Sequence, residues 1–178
     1  MTPQIATLMA QYNRWMNERV FDAAATLDAA TLAADKGAFF GSILGTLNHI
    51  AVADTIWLHR FARHESSFPA LRALSRLPPP SSLTQPLAPD LAGLRGHRRD
   101  LDALVERWVA ELTPEHLASD LAYVNMSGVR SSRNFGALLQ HFFNHQTHHR
   151  DQVSTLLFQS GVDVGVTDLL AVIVRSDA

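Results

Sequence analysis

Residues Leu77 to Asp90 form the one long stretch of this chain that cannot lie inside a helix. Pro78-Pro79-Pro80-Ser81-Ser82 is followed by Pro86 and Pro89. Each proline removes a backbone donor and fixes φ. The long segments on either side follow the helical period. The first helix is expected from about Pro3 to Leu27, with Thr2 as cap and Pro3 at the first helical position. Its apolar stripe reads Ile5, Leu8, Tyr12, Trp15, Met16 and Val20. The second runs from about Phe39 to His64, and its apolar surface is too wide for a single seam, which places it centrally. Beyond the proline segment, the third runs from about Asp90 to Leu112 and is ended by Thr113-Pro114. The fourth runs from about Asn134 to Gln159, with Gly161 as its stop. Between the last two, Gly128 marks a turn between two short strands, and the tail from Thr167 to Val174 adds a short helix or extended piece. The predicted fold class is all-α: a four-helix bundle with a long crossover between helices two and three, in a single domain spanning residues 1–178.

Composition narrows the function classes. A chain of 178 residues can bury a substantial core. Its net charge of −2 lacks the basic surplus expected of a nucleic-acid binder, so no nucleic-acid partner is expected. The basic cluster Arg95, His97, Arg98 and Arg99 sits among leucines at helical spacing and reads as a solvated helix face. No cysteine is present, which removes disulfides, thiolate ligands and a cysteine nucleophile. That absence, the lack of a secretory pattern at Met1 to Asn13 and the lack of a membrane-spanning apolar run predict a cytoplasmic protein without a membrane partner.

The segment His141 to Gln152 holds four of the nine histidines. His145 and His149 stand four apart, one turn above the other on one helix face. At about 100° per residue they share the inward side with Leu138, Phe142, Gln152 and Leu156. Two imidazoles so placed can bind one metal ion, and the best third ligand is His49 on the second helix. Gly45 and Ala53, each four positions from His49, would leave room beside its ring. Three protein ligands with an open position is the pattern of catalytic metal sites. Zinc, nickel, iron and manganese all accept imidazole. Against this stands the commoner fate of a buried histidine, a hydrogen-bonded core residue. His141 could serve as an alternative ligand one turn earlier, and His148 belongs at the rim. His59, His64, His97 and His116 are expected at the surface. His-Glu-x-x-His, Glu-x-x-His, a phosphate loop and a Gly-x-Ser-x-Gly elbow are all absent.

Tyr12-Asn13-Arg14-Trp15-Met16-Asn17-Glu18, Gly41 to Ile50, Asp54 to Leu58, Asn144-His145-Gln146-Thr147-His148-His149-Arg150 and the tail residues Gly161-Val162-Asp163 and Thr167 to Leu170 together resemble the DinB family. These are DinB/YfiT-like bacterial damage-inducible, metal-binding four-helix bundles, similar in fold to mycothiol-dependent maleylpyruvate isomerase and bacillithiol S-transferases. The resemblance implies a metal held by His49, His145 and His149, the set also reached from helix geometry. It implies a homodimer as well. Where the family often reads His-Arg-Gly-Gln, this chain has His149-Arg150-Asp151-Gln152, and Asp151 projects away from the histidine stripe.

The expected cofactor is a divalent metal ion, zinc or nickel before iron or manganese. The expected chemistry is that of a thiol S-transferase, with a low-molecular-weight thiol presented to a small-molecule electrophile. Asn48, Tyr12 and Gln152 could orient that site or serve structure alone. No catalytic residue is assigned. A metal-dependent hydrolase would need a general base, and Asp54 turns away from His49. A stress-induced metal- or small-molecule-binding protein without catalysis is the third reading.

Overall fold

The computed structural model describes residues 1–174. The chain is mostly helical with one small two-stranded sheet, the pair of short strands expected on either side of Gly128. Four long helices dominate: α1 (Pro3–Ala24), α3 (Ile43–Phe61), α4 (Leu91–Val109) and α6 (Phe135–Gln159). Two short ones, α2 (Ala29–Ala33) and α5 (Pro114–Ala118), lie in the connections. Thr113-Pro114 therefore both follows α4 and starts α5, with Thr113 capping the new helix. The strands β1 (Asp120–Val124) and β2 (Arg130–Asn134) pair antiparallel, with Asp120 opposite Asn134 and Val124 opposite Arg130. Gly128 turns between them at φ +80°, a conformation that costs glycine no steric penalty.

The caps explain where the long helices begin. Thr2, Ser42, Asp90 and Asn134 each accept a hydrogen bond from a backbone N–H in the first turn of the helix they precede. The second long helix thus starts at Ser42 rather than Phe39, and Phe39 is left in an exposed turn. Gly161, at φ +82°, follows the end of α6. The tail adds a single 3-10 turn, Leu169–Val172, and a further 3-10 segment, Ala70–Arg76, precedes the proline crossover.

Helix α1 packs against α4 and α6, and α3 against α6 and α4. Every residue of α3 from His49 to Ile56 is buried, as its broad apolar surface required. On α1 the buried face is rotated from the predicted stripe. Ile5 points outward, while Ala6, Ala10, Asn13, Met16, Asn17, Val20 and Ala24 face in. That face carries polar groups because other helices answer them. Asn13 and Asn17 each donate to Asp102 of α4 at 3.2 and 2.9 Å, and Arg150 of α6 donates to Asn13. Arg98 of α4 pairs with Asp54 of α3 and with Asp102, and Gln146 of α6 donates to Asp54 at 2.9 Å. Arg98 is buried, which corrects its reading as part of a solvated face. Burial holds the Asp54 and Asp102 carboxyls above the usual carboxylate range, against the pull of Arg98.

Candidate metal centre

The metal question turns on where the imidazole nitrogens point. His49 lies on α3, one turn after Gly45 and one before Ala53. His145 and His149 lie on the facing side of α6. One ring nitrogen from each of the three falls within 4.8 Å of the others, so the cluster could hold a metal ion. The Nε2 atoms of His145 and His149 are 3.1 Å apart. Two lone pairs would repel at that distance without a proton or cation between them. For comparison, zinc–nitrogen bonds of about 2.0–2.1 Å would set tetrahedral ligand nitrogens about 3.4 Å apart.

The opposite ring nitrogens are already engaged. His49 Nδ1 lies 3.1 Å from the Leu83 carbonyl, and His149 Nδ1 lies 2.8 Å from Gln152 Oε1. A carbonyl oxygen can only accept, so each Nδ1 carries its hydrogen and each Nε2 keeps a lone pair facing the cluster. This outer hydrogen bonding is what orients histidine ligands at metal sites. The crossover is thereby part of the centre. Asn48 holds it in place, donating to the Gln85 carbonyl and accepting from the Leu87 N–H, both at 2.9 Å. Asn48 thus positions backbone rather than lining the cavity, and Tyr12 donates to the Thr167 carbonyl at 2.6 Å, away from the histidines.

Burial, followed by the neighbouring imidazoles His149, His49, His141 and His148, pushes His145 down to about 3. Burial also holds His49 and His149 below the ordinary value, against the Leu83 carbonyl and the Gln152 side chain respectively. All three rings are therefore neutral at pH 7, the state in which imidazole binds a cation without first losing a proton.

Gly45 plays a different role from the one expected. A β-carbon there would collide with the Phe40 carbonyl oxygen, so glycine admits the Phe40 backbone instead of opening space for a ligand. Phe40 in turn stacks on His49, with centroids 3.6 Å apart and planes at 16°, and meets His149 edge-on at 5.5 Å. Nothing in the sequence pattern singled Phe40 out, since it sits in an irregular turn. Ala53 does line open space. A cavity of about 510 Å³ opens over the cluster, walled by Phe40, Ala53, Ile56, Trp57, Arg60 and Met126 among others, and by His141, His148 and Gln152. His141 stands outside the ligand cluster, edge-on to Trp57 at 5.2 Å. His148 is exposed at the rim, within 3.3 Å of Gln152 Nε2. Asp151 is exposed and away from the cavity. Asp54 is turned into the core against Arg98.

The four remaining histidines divide. His64 is buried, not at the surface, and bonds Ser119 Oγ at 2.9 Å. His59 bonds the Leu77 carbonyl at 2.7 Å. His97 and His116 are half-buried, His97 against a separate small cavity and His116 in a capping box with Thr113.

Fold and centre together define a mostly helical protein whose three clustered histidines could bind a divalent metal ion. Comparison with known proteins agrees in substance. The DinB family model matches residues 1–175, and the chain belongs to the DinB family. It is similar to Protein DinB of Bacillus subtilis (strain 168), with 26% identity over 159 residues, covering 89% of this chain and 87% of that protein.

Proposed function

We propose that this protein is a four-helix-bundle enzyme that holds a divalent metal ion, zinc or nickel first, on His49, His145 and His149, and that it transfers a low-molecular-weight thiol to a small-molecule electrophile. The observation that carries this reading is the union of two features. Three neutral imidazoles converge at the floor of a cavity, and among the described residues no carboxylate lines that cavity. An ion held there would supply the positive charge that favours the anionic form of a thiol at neutral pH. The chain has no cysteine, so the sulfur comes from the cosubstrate. In the reaction a sulfur–carbon bond forms and the electrophile's leaving group departs with its electron pair. The thiol proton passes to solvent or to His141 or His148, the two cavity imidazoles outside the ligand set.

Gln152 would hold His149 in its ligating tautomer, and the Leu83 carbonyl would do the same for His49. A hydrolase would need a general base, and the nearest core carboxylate, Asp54, is committed to Arg98 and Gln146. Simple metal sequestration would not call for a cavity of this size beside the ligands. No helix among the described residues is long and apolar enough to cross a membrane. We place the protein in the cytoplasm on its cysteine-free composition, and as a homodimer on the family resemblance.

The test is elemental analysis of tag-free protein beside a His49→Ala/His149→Ala double variant, followed by titration of low-molecular-weight thiols into the cobalt-loaded form. One ion per chain, lost in the variant, with a thiol-dependent change in the cobalt spectrum, supports the transferase. Metal that responds to no thiol overturns it in favour of hydrolysis or sequestration.

A further inference from the structure

The cavity has two chemically distinct ends. At its floor are the three ligating imidazoles. At the other end is Arg60, on the same face of α3 as His49, Ala53, Ile56 and Trp57. Eleven residues separate His49 from Arg60, a rise of about 16 Å between Cα atoms. The arginine is folded back over the preceding turn of α3. Its guanidinium carbon lies 4.5 Å from the Trp57 ring centroid and 5.2 Å from that of Tyr123 on the hairpin. A continuous aromatic wall joins the two ends: the Trp57 ring is 5.2 Å from His141, and His141 is 6.0 Å from His145.

Arg60 forms no ion pair and no side-chain hydrogen bond among the described residues. Several exposed arginines are likewise unpaired, but every other buried or half-buried one, Arg19, Arg95, Arg98 and Arg150, finds an acceptor. The two aromatic faces fix the guanidinium plane but use none of its N–H donors. Its charge is also left unbalanced at the cavity, because the lining contains no Asp or Glu. A half-buried guanidinium, held rigid with its donors unspent and its surroundings free of negative charge, is built to receive an anion.

Resting on the metal-dependent reading of the same cavity, we infer that the protein's ligand is a small organic acid with a flat or apolar body, its carboxylate on Arg60 and its reacting end at the three histidines. The body packs against Trp57, Ile56 and Met126. Arg60 is thus a specificity-determining residue. A neutral analogue of the same shape leaves the guanidinium desolvated and unanswered, and binds correspondingly worse. The carboxylate can belong to the thiol or to the electrophile, and two probe pairs separate these sources.

The experiment is calorimetry on zinc-loaded wild type and on Arg60→Met, with zinc content measured in each. One pair is 4-mercaptobenzoate and its methyl ester, and the other is cinnamate and cinnamamide. Wild type should favour at least one carboxylate over its neutral partner by about tenfold or more, the scale of one charge-assisted hydrogen bond. Arg60→Met should lose that preference while keeping wild-type zinc. Discrimination within the thiol pair alone places the carboxylate on the thiol, and discrimination within the cinnamate pair places it on the acceptor. The inference is overturned if wild type shows no preference in either pair, or if Arg60→Met retains it. The same titrations on metal-free protein read Arg60 independently of the ion. A carboxylate preference there, in a protein that never takes up zinc, would sink the metal reading and leave the anion subsite standing.

Discussion

Histidines gather at two places in this molecule, and the two gatherings behave differently. His49, His145 and His149 turn ring nitrogens toward one another with no protein group between them. His64 and His116, with ring centroids 6.0 Å apart, sit instead in an aromatic knot with Phe68 and Phe135. There three of the four ring nitrogens are spent locally. The Ser66 N–H reaches His64 Nδ1 at 3.3 Å, His64 Nε2 meets Ser119 Oγ at 2.9 Å, and His116 Nδ1 accepts from the Thr113 N–H at 3.1 Å. Both places are dense in imidazole. What separates a candidate metal centre from a structural knot is whether lone pairs converge or are individually satisfied.

The largest expected effect tests that distinction directly. His145→Ala leaves two ligands and should weaken zinc binding by more than about a hundredfold, the upper end of what loss of a mere supporting partner costs. His64→Ala should keep full zinc and instead lose about 1–3 kcal/mol of stability, from the bond lost at Ser119 Oγ, which still donates to the His116 carbonyl, and from the buried ring removed beside Phe68 and Phe135. Elemental analysis and urea denaturation of both variants check this. Zinc loss in His64→Ala, or full zinc in His145→Ala, would erase the difference between the two places. Gln152→Ala sharpens the comparison by sparing every ligand. It frees His149 to change tautomer, and zinc affinity measured by chelator competition should fall about 10–100-fold.

Acid should act on both places, with the same sign. His145 is held at about 3, and His64 is also held below its ordinary value, by burial first. The unfolded chain, with imidazoles near about 6.5, therefore takes up protons before the folded one as pH falls. Stability of the metal-free protein should be flat above about pH 6.5 and decline below it. Zinc bound on these imidazoles would add a further increment at neutral pH that protons remove by competing for the candidate ligands. Urea midpoints from pH 8 to pH 5, with and without zinc, should converge on acidification. A zinc increment that stays constant down to pH 5 would show that the ion binds elsewhere than on these imidazoles.

The long helices and the histidine pair were legible because period and spacing are local properties. Thr2, Asp90 and Asn134 announce helix starts within a few residues of the chain. His145 and His149 are bound to share a face once the segment is helical. Features that depend on a second segment were not legible. Arg98 looks like any other member of a basic helix face until Asp54 arrives from α3 to neutralise it. Asn13 and Asn17 weaken the apparent apolar stripe of α1 until Asp102 gives them a reason to be buried. Gly45 suggests open space and in fact admits a backbone carbonyl. The Leu83 carbonyl that orients His49 sits in the proline crossover, where no side-chain pattern could reveal it. Arg60 is the same kind of case, since its significance lies in the carboxylates that do not surround it.

The smallest expected effect probes whether the two histidine places are independent. His116→Ala removes the side-chain half of the capping box at the start of α5, which has only five residues, while Thr113 still caps the helix from its own side. A cost of about 0.5–1 kcal/mol follows, or a fall in Tm of a few degrees at most for a chain of this length. Zinc affinity should not move. The knot shares α6 with the candidate ligands, however, through Phe135 at the helix start, about three turns before His145 and about four before His149. If His116→Ala did weaken zinc binding, the loosened end of α6 would be transmitting its displacement along the helix. The two clusters would then be one mechanical unit rather than a metal centre and a separate structural knot.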